Sequence, residues 1–385
     1  MILNANKLIP IFIFFILCGS FFYIIVPAVS LSFIITIISI LFVLKNKIAK
    51  YNVDILSIVV FSYFVFLATV GLLVNPSYEN LQYLKSFVSI LIVFMFFLGL
   101  RNKGFSFFNS ILVFTFFIFS IALLQFSFLM TGYGINPVIK SLEGYDLNLN
   151  TYGVRSIFSN PNDFSVILIL LSVYFFISQK SNLLILSGFF VFFAGSRTAM
   201  FLYSLLLLLF YFKQINIKKI ISLISLMVFS FIIYVFYLKN NADLYSIRRF
   251  SNIFTDLGGD GSIQVRFSNI VVFFDNFSSL YFGGWAAKSY SIYSDPIFYV
   301  NPHSFIIEIV LLYGIYGLIF LTGIFFTVAL YLSKNSNIST LEKIICGFIF
   351  FMITFVPSSI LNFPTFWALL FIILVSHEKK GSINV

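Results

Sequence analysis

Long apolar runs, separated by short polar segments, follow one another along almost the whole chain. A helix needs about 20 apolar residues to cross a bilayer, and about twelve runs approach or exceed that length. They cover residues 8–26, 28–44, 55–73, 81–100, 107–130, 163–178, 182–196, 198–212, 219–238, 304–332, 343–359 and 363–376. The pattern predicts an all-α polytopic membrane protein with about twelve transmembrane helices, folded as a single integral membrane domain over residues 1–385.

Composition supports this prediction, because 61% of the 385 residues are hydrophobic and only 9% are charged. A soluble domain of this size could not bury so much apolar surface. The net charge of +10 comes largely from lysines and arginines in short segments next to the apolar runs. It therefore indicates orientation in a membrane rather than binding to nucleic acid.

The distribution of basic residues also predicts which segments face the cytoplasm. If the N-terminus is cytoplasmic, the alternation of spans places most of the 23 lysines and arginines on the cytoplasmic side, where the connecting segments are short. The C-terminus then returns to the cytoplasm. The two longest polar segments, at about residues 131–162 and 239–303, lie on the outer side as periplasmic loops.

The first outer loop ends in TYGVRSIFSNPNDFS, which has the pattern of a helix start. Asn160 can cap the helix, Pro161 suits its first position, and Asp163 stands three residues after the cap. Free backbone N–H groups at such a start favour an anion. Asn160 and Asn162 are therefore candidates for substrate binding, with capping alone as the alternative. Arg155 is a third candidate, with a solvated anchor as its alternative.

The segment FAGSRTAM places an arginine between two short apolar runs, at the predicted outer surface. Gly195, Ser196 and Ala199 are small, so neighbouring helices can approach closely. Arg197 in such a tight turn suggests a fixed cation that binds an anion. The alternative is an arginine that extends its head group to the membrane surface.

The second outer loop contains GGDGSIQVRFSNIVVFF, followed by FGGW. The glycines predict a flexible turn. The spacing of Val265, Ile270, Val271 and Phe274 predicts an amphipathic helix at the membrane surface, and that helix carries Arg266.

The stretch NPHSFIIEIVLLYGIYG places His303 at the outer end of an apolar helix. At helical spacing His303 shares a stripe with Gly314 and, less closely, Gly317, which predicts a rigid helix packed closely on a neighbour. An imidazole with a pKa near 6.5 is a natural proton acceptor at neutral pH. The alternative is a histidine that caps the helix or packs at an interface.

Two arginines and a histidine at one predicted membrane face suit transfer from a phosphorylated lipid donor to a hydroxyl acceptor. Arginine binds phosphate through two parallel hydrogen bonds, and histidine can take the hydroxyl proton. The sequence has no acidic pair, HExxH motif or cysteine cluster, so neither a metal site nor a cofactor is expected. Cys18 and Cys346 fall within predicted spans and are expected to fill apolar space.

Taken in order, RSIFSNPNDFS, GSRTA, DGSIQVR with FGGW, and NPHSFIIEIVLLYGIYGLIF resemble the superfamily of bacterial O-antigen polymerases and O-antigen ligases. The resemblance covers most of the chain. It implies a glycosyltransferase C-like fold in the bacterial inner (cytoplasmic) membrane and metal-independent glycosyl transfer at the periplasmic face. The implied partners are an undecaprenyl-diphosphate-linked oligosaccharide donor and acceptor, membrane lipid, and a chain-length regulator protein.

The resemblance also implies catalytic roles for three of the candidate residues. Arg197 and Arg266 would hold the donor diphosphate, and His303 would activate the acceptor hydroxyl for an inverting attack. The Phe-rich chain resembles the polymerases, which add glycan to the non-reducing end of another lipid-linked repeat. An O-antigen ligase, which transfers glycan to lipid A core, is the alternative. A polysaccharide flippase fits less well, because the spans carry no charge at mid-depth.

Overall fold

The computed structural model describes residues 5–19, 39, 52–130, 154–158, 160–212, 271, 274, 278, 281–282, 304–336, 338–356 and 363–376. Within these residues all regular secondary structure is helical, which confirms the all-α prediction. The helices are α1 (Ala5–Leu17), α2 (Asn52–Val74), α3 (Tyr78–Asn102), α4 (Phe108–Met130), α5 (Pro161–Ile177), α6 (Ser181–Ala194), α7 (Arg197–Phe212), α8 (Phe305–Lys334), α9 (Thr340–Ile353) and α10 (Pro364–Ser376).

Four of these helices, α2, α3, α4 and α8, are long and apolar enough to cross a membrane. Helices α5, α6, α7 and α10 are apolar but shorter. The predicted runs at 28–44 and 219–238 lie outside the described residues, apart from Ser39, which is helical. The total of about twelve spans and the large outer loop therefore stay predictions.

The chain divides into two compact units, one formed by residues 1–115 with 261–385 and the other by residues 116–260. In the first unit α8 packs on α2, α9 and α10, and α10 also packs on α1 and α3. In the second unit α5 packs on α6 and α7. Nearly every residue of α5 and of α10 is buried, which explains why both helices are apolar on all sides.

A buried ion pair joins three helix ends of the first unit. Arg101, at the end of α3, donates from Nη1 and Nη2 to the two carboxylate oxygens of Asp54, over 3.1 and 2.6 Å. The Tyr331 hydroxyl, near the end of α8, donates to Asp54 Oδ1 over 2.9 Å. Asp54 is fully buried near the start of α2. The start of α2 and the ends of α3 and α8 thus lie on one side, as alternating spans require.

Replacing Arg101 by alanine is expected to destabilise the protein, because it leaves the Asp54 carboxylate buried without its cation. Breaking a buried pair in this way typically costs about 3–5 kcal/mol. Thermal unfolding in detergent, followed by intrinsic fluorescence, measures the loss. The control is Lys103→Ala, which removes an exposed cation two residues away. Equal unfolding temperatures for the two variants would contradict this account of the ion pair.

Helix α8 is broken at Gly314, so the prediction of one rigid helix was wrong. Gly314 has φ 55° and ψ −132°, a conformation that only glycine adopts easily. The Ile315 N–H donates to the Tyr281 carbonyl over 2.9 Å. At Gly317 a Cβ would lie 2.5 Å from the Ile309 carbonyl oxygen, so the two parts of α8 pack closely. The predicted stripe from His303 to Gly317 therefore does not lie on one continuous helix. The part after the break, residues 315–334, is still about 30 Å long, which is the thickness of the apolar core of a bilayer.

Candidate functional site

Three helix ends meet at one end of the second unit. Helices α5 and α6 form an antiparallel hairpin, in which Ser172 and Ser187 are joined by a 2.7 Å hydrogen bond between their hydroxyls. The start of α5 therefore lies beside the end of α6, and α7 begins there too, after a two-residue turn. This end carries four of the residues that the sequence singled out: Arg155, Asn160, Asn162 and Arg197.

Arg197 is the first residue of α7, directly after the predicted turn. Gly195 ends α6 with φ 73°, and its N–H donates to the Phe192 carbonyl over 3.0 Å. Ala194 and Ala199 are buried on either side, as expected for a turn of small residues. Arg197 itself is half-buried, and its Nη1 atom is shielded from solvent. A head group that extends freely to the membrane surface would not be shielded in this way.

Tyr203 fixes α7 on α6, and so fixes the helix that begins with Arg197. The Tyr203 hydroxyl donates to the Leu184 carbonyl over 2.8 Å. The Tyr203 ring lies so close to Gly188 that a Cβ there would come within 2.3 Å of it. The position of Arg197 therefore depends on the contact between Tyr203, six residues further along α7, and Gly188.

The predicted helix start at Asn160 is confirmed. The Asn160 Oδ1 atom accepts from the Asp163 N–H over 2.9 Å, and its Nδ2 atom donates to Asp163 Oδ2 over 2.7 Å. Pro161 occupies the first helical position. Asn162 follows in the first turn and is half-buried. Substrate binding by Asn160 and Asn162 stays a prediction.

Arg155 is buried, with 8% of its surface exposed, so the alternative of a solvated anchor is wrong. It belongs to a turn, residues 154–158, that is joined to the last turn of α6. The Val154 N–H donates to the Phe193 carbonyl over 3.1 Å, four residues before Arg197. Arg155 and Arg197 thus lie on segments that are directly connected by a backbone hydrogen bond.

Gln125 holds this turn and was missed in the sequence. Its Oε1 atom accepts from the Arg155 and Ser156 N–H groups over 3.2 and 2.8 Å, and its Nε2 atom donates to the Ser156 carbonyl over 2.7 Å. The available signal was the single glutamine in the apolar helix α4. Polar residues in membrane helices tend to make functional or structural contacts.

The electrostatics of this end favour an anion. The starts of α5 and α7 present the positive ends of their helix dipoles; Arg197 is the first residue of α7, and Arg155 lies in the turn that precedes α5. The Asp163 carboxylate, buried at the first turn of α5, opposes them in part. The arrangement could bind a phosphate group through N–H donors without a metal ion.

Arg266 and His303 lie outside the described residues, so their geometry is not part of the observed site. Ser304, directly after His303, is fully buried and caps α8 through its hydroxyl, which accepts from the Ile307 N–H. The Phe305 N–H donates to the Thr354 carbonyl over 3.0 Å, at the end of α9. The position that follows His303 is therefore fixed within the first unit.

Two residues of the predicted amphipathic helix after Arg266 are described by the structure. Val271 and Phe274 are helical and expose 43% and 66% of their surface. Glu308 is 4% exposed in the first part of α8. Among the residues that the structure describes, no group of three or more histidine, cysteine or acidic residues could hold a metal ion.

Part of the chain matches a protein-family model. Residues 182–322 match the family model described as O-antigen ligase (Wzy_C). No curated protein matches the chain. The matched range begins in α6 and ends in the second part of α8, and it contains Arg197, Arg266 and His303 but not Arg155, Asn160 or Asn162. Together with the apolar helices, the match identifies a multi-pass membrane protein. Over residues 182–322 the chain is thus similar to the O-antigen ligase family, whose members are glycosyltransferase-like enzymes.

Proposed function

We propose that the chain is an O-antigen polymerase of the bacterial inner membrane. It would transfer an undecaprenyl-diphosphate-linked glycan to the non-reducing end of a second lipid-linked repeat at the periplasmic face. The observation that carries this proposal is the turn at Gly195 and Ser196, which starts α7 with a shielded arginine inside the family match.

The proposed reaction exchanges one bond at the anomeric carbon of the donor. The acceptor hydroxyl oxygen attacks this carbon from the face opposite the diphosphate, and the anomeric carbon–oxygen bond breaks. Undecaprenyl diphosphate leaves with the electron pair, and His303 takes the hydroxyl proton. Arg197 and Arg266 neutralise the charge on the leaving diphosphate, which is the largest electrostatic demand of the transition state.

The turn of Arg155 and the start of α5 are proposed to bind the donor beside Arg197. Support comes from the burial of Arg155, the hydrogen bond between Val154 and Phe193, and the dipole of α5. Asn160 and Asn162 would contribute at the same end. Because the side-chain amide of Asn160 already caps α5, its contribution is expected to be smaller than that of Arg155.

An O-antigen ligase is the second candidate, because the family match carries that description. Competition between acceptors separates the two. Purified protein in lipid nanodiscs receives a lipid-linked repeat as donor, together with a second lipid-linked repeat and lipid A core. A polymerase lengthens the lipid-linked glycan, whereas a ligase labels the lipid A core. Transfer to core alone would overturn the polymerase proposal and keep the ligase.

Chelation is expected to leave the transfer rate unchanged, because the proposed site neutralises the diphosphate with arginines rather than with a divalent ion. The measurement compares initial rates of the purified protein with and without EDTA. A rate lost with EDTA and restored by Mg²⁺ or Mn²⁺ would show that the proposed roles of the arginines are incomplete.

A further inference from the structure

We infer that Gln125 is a positioning residue for donor binding, a role that rests on the proposed function. It lies in α4, outside the residues that match the family model. It would act through the turn at residues 154–158, which carries Arg155, and would not touch the donor itself.

Both the oxygen and the nitrogen of the Gln125 side-chain amide form hydrogen bonds. Both ends of its amide bind the backbone at Arg155 and Ser156, through two accepted bonds and one donated bond. Gln125 keeps only 8% of its surface exposed, so these bonds are made away from water. A buried amide that satisfies three backbone groups holds them in one arrangement, because losing it would leave those groups unsatisfied.

The backbone that Gln125 holds is itself uncommon. Ser156 has φ 53°, in the left-handed region that residues other than glycine seldom adopt. A second bond from α4 supports it, because the Ser156 hydroxyl donates to the Ile118 carbonyl over 2.7 Å. Such conformations persist where the surroundings determine them fully, and they are common at functional sites. Hydrogen bonds from α4 therefore fix the backbone conformation at Arg155 and Ser156.

The turn that Gln125 holds is connected to the predicted donor site through the backbone. The same turn is bound to the end of α6 by the hydrogen bond between Val154 and Phe193, four residues before Arg197. Gln125 thus fixes one side of the turn and α6 fixes the other. Loss of the Gln125 bonds would loosen the backbone at Arg155 and Ser156 and leave the Ser156–Ile118 bond and the connection to α6 in place.

The test compares Gln125→Met, which keeps the length of the side chain and removes all three hydrogen bonds, with Thr115→Val. Thr115 is a matched control, because it is fully buried in the same helix and its hydroxyl donates to the Ile111 carbonyl of that helix. Gln125→Glu is the conservative variant, because it keeps the two acceptor bonds. All variants are compared as full chains in nanodiscs at matched folded amounts.

Two readouts decide the inference. The first is amide hydrogen exchange at Arg155 and Ser156, which should accelerate at least about tenfold in Gln125→Met when the acceptor is removed. The second is the Kd for undecaprenyl diphosphate, which should rise about tenfold to a hundredfold, because small displacements of a binding group cost this much. Gln125→Glu should fall between wild type and Gln125→Met, and Thr115→Val should match wild type.

A double variant separates positioning from general destabilisation. In an Arg155→Lys background, Gln125→Met should raise the Kd much less than it does in wild type, because the guanidinium that it positions is already gone. Equal increases in the two backgrounds would overturn the inference. The inference would also be overturned if Gln125→Met showed wild-type hydrogen-exchange rates at Arg155 and Ser156. The same holds if exchange were accelerated but the Kd for undecaprenyl diphosphate stayed at the wild-type value. Neither readout requires turnover, so a failed polymerase assay would contradict the proposed function separately.

Discussion

Replacing His303 by glutamine is expected to abolish visible polymer almost as completely as replacing it by alanine. Glutamine keeps much of the size and hydrogen bonding of histidine but cannot accept a proton near neutral pH. General-base catalysis typically contributes about 10²- to 10⁴-fold, so either change should reduce transfer by about that factor. The measurement is the chain-length profile of surface polysaccharide in cells with equal amounts of the membrane protein.

The capping alternative for His303 makes a different prediction. Ser304 already caps α8 through its hydroxyl, so a second cap at the preceding residue has no evident purpose. Ser304→Ala serves as the control, because it removes the cap and should cost about 1 kcal/mol of stability with little effect on chemistry. Long polymer from His303→Gln, with a stability loss like that of Ser304→Ala, would show that His303 is structural.

Arg197 is expected to show the second large effect. Alanine should lower the transfer rate by about 10²- to 10³-fold, the usual cost of removing one group that stabilises developing charge. Lysine should restore only part of the rate, because it keeps the charge and loses the planar pair of donors. Arg266 should follow the same order. The rates are measured with the purified variants and one lipid-linked donor.

Thr198→Val is the control for Arg197, because Thr198 is the next residue of α7 and is also half-buried. It should keep the wild-type rate. If Arg197→Ala transferred glycan as fast as Thr198→Val, Arg197 would be an interfacial anchor despite its shielded Nη1 atom. If Arg197→Lys matched wild type, the charge alone would be sufficient, and the model of paired hydrogen bonds to the diphosphate would be wrong.

The helices could be predicted because the length of an apolar run and the capping of a helix both depend on consecutive residues. Asn160 and Pro161 predicted the start of α5, and Gly195 predicted the turn before Arg197; the structure confirms both. These features depend on backbone groups within a few positions of the residue concerned. A single sequence therefore contains all the information that they need.

The features that could not be predicted depend on partners far away in the chain. The buried Asp54 carboxylate is stabilised by Arg101 and by Tyr331, which lies 277 residues later in the chain. Gln125 meets a turn that begins about 30 residues after it. The break at Gly314 is another case, because glycine is also common in continuous membrane helices that pack closely. The hydrogen bond from Ile315 to Tyr281 and the close approach of Gly317 to Ile309 show how the break is accommodated.

The break at Gly314 changes the support expected for the helix start that follows His303. A continuous helix would have fixed His303 through the packing of Gly314 and Gly317. Instead, the first part of α8 is fixed by its own neighbours, the Thr354 carbonyl and the Trp367 ring, whose centroid lies 5.8 Å from that of Phe305. Helices broken within membranes often line binding sites. The position after His303 is thus supported by the end of α9 and by α10.

The most direct test of polymerase activity is deletion of the coding sequence in the parent bacterium, followed by gel analysis of its lipopolysaccharide. Loss of a polymerase should leave molecules with lipid A core plus a single repeat, and long polymer should be restored by the wild-type chain but not by His303→Gln. Core without any repeat would contradict a polymerase, because a strain that lacks its ligase or its flippase attaches none.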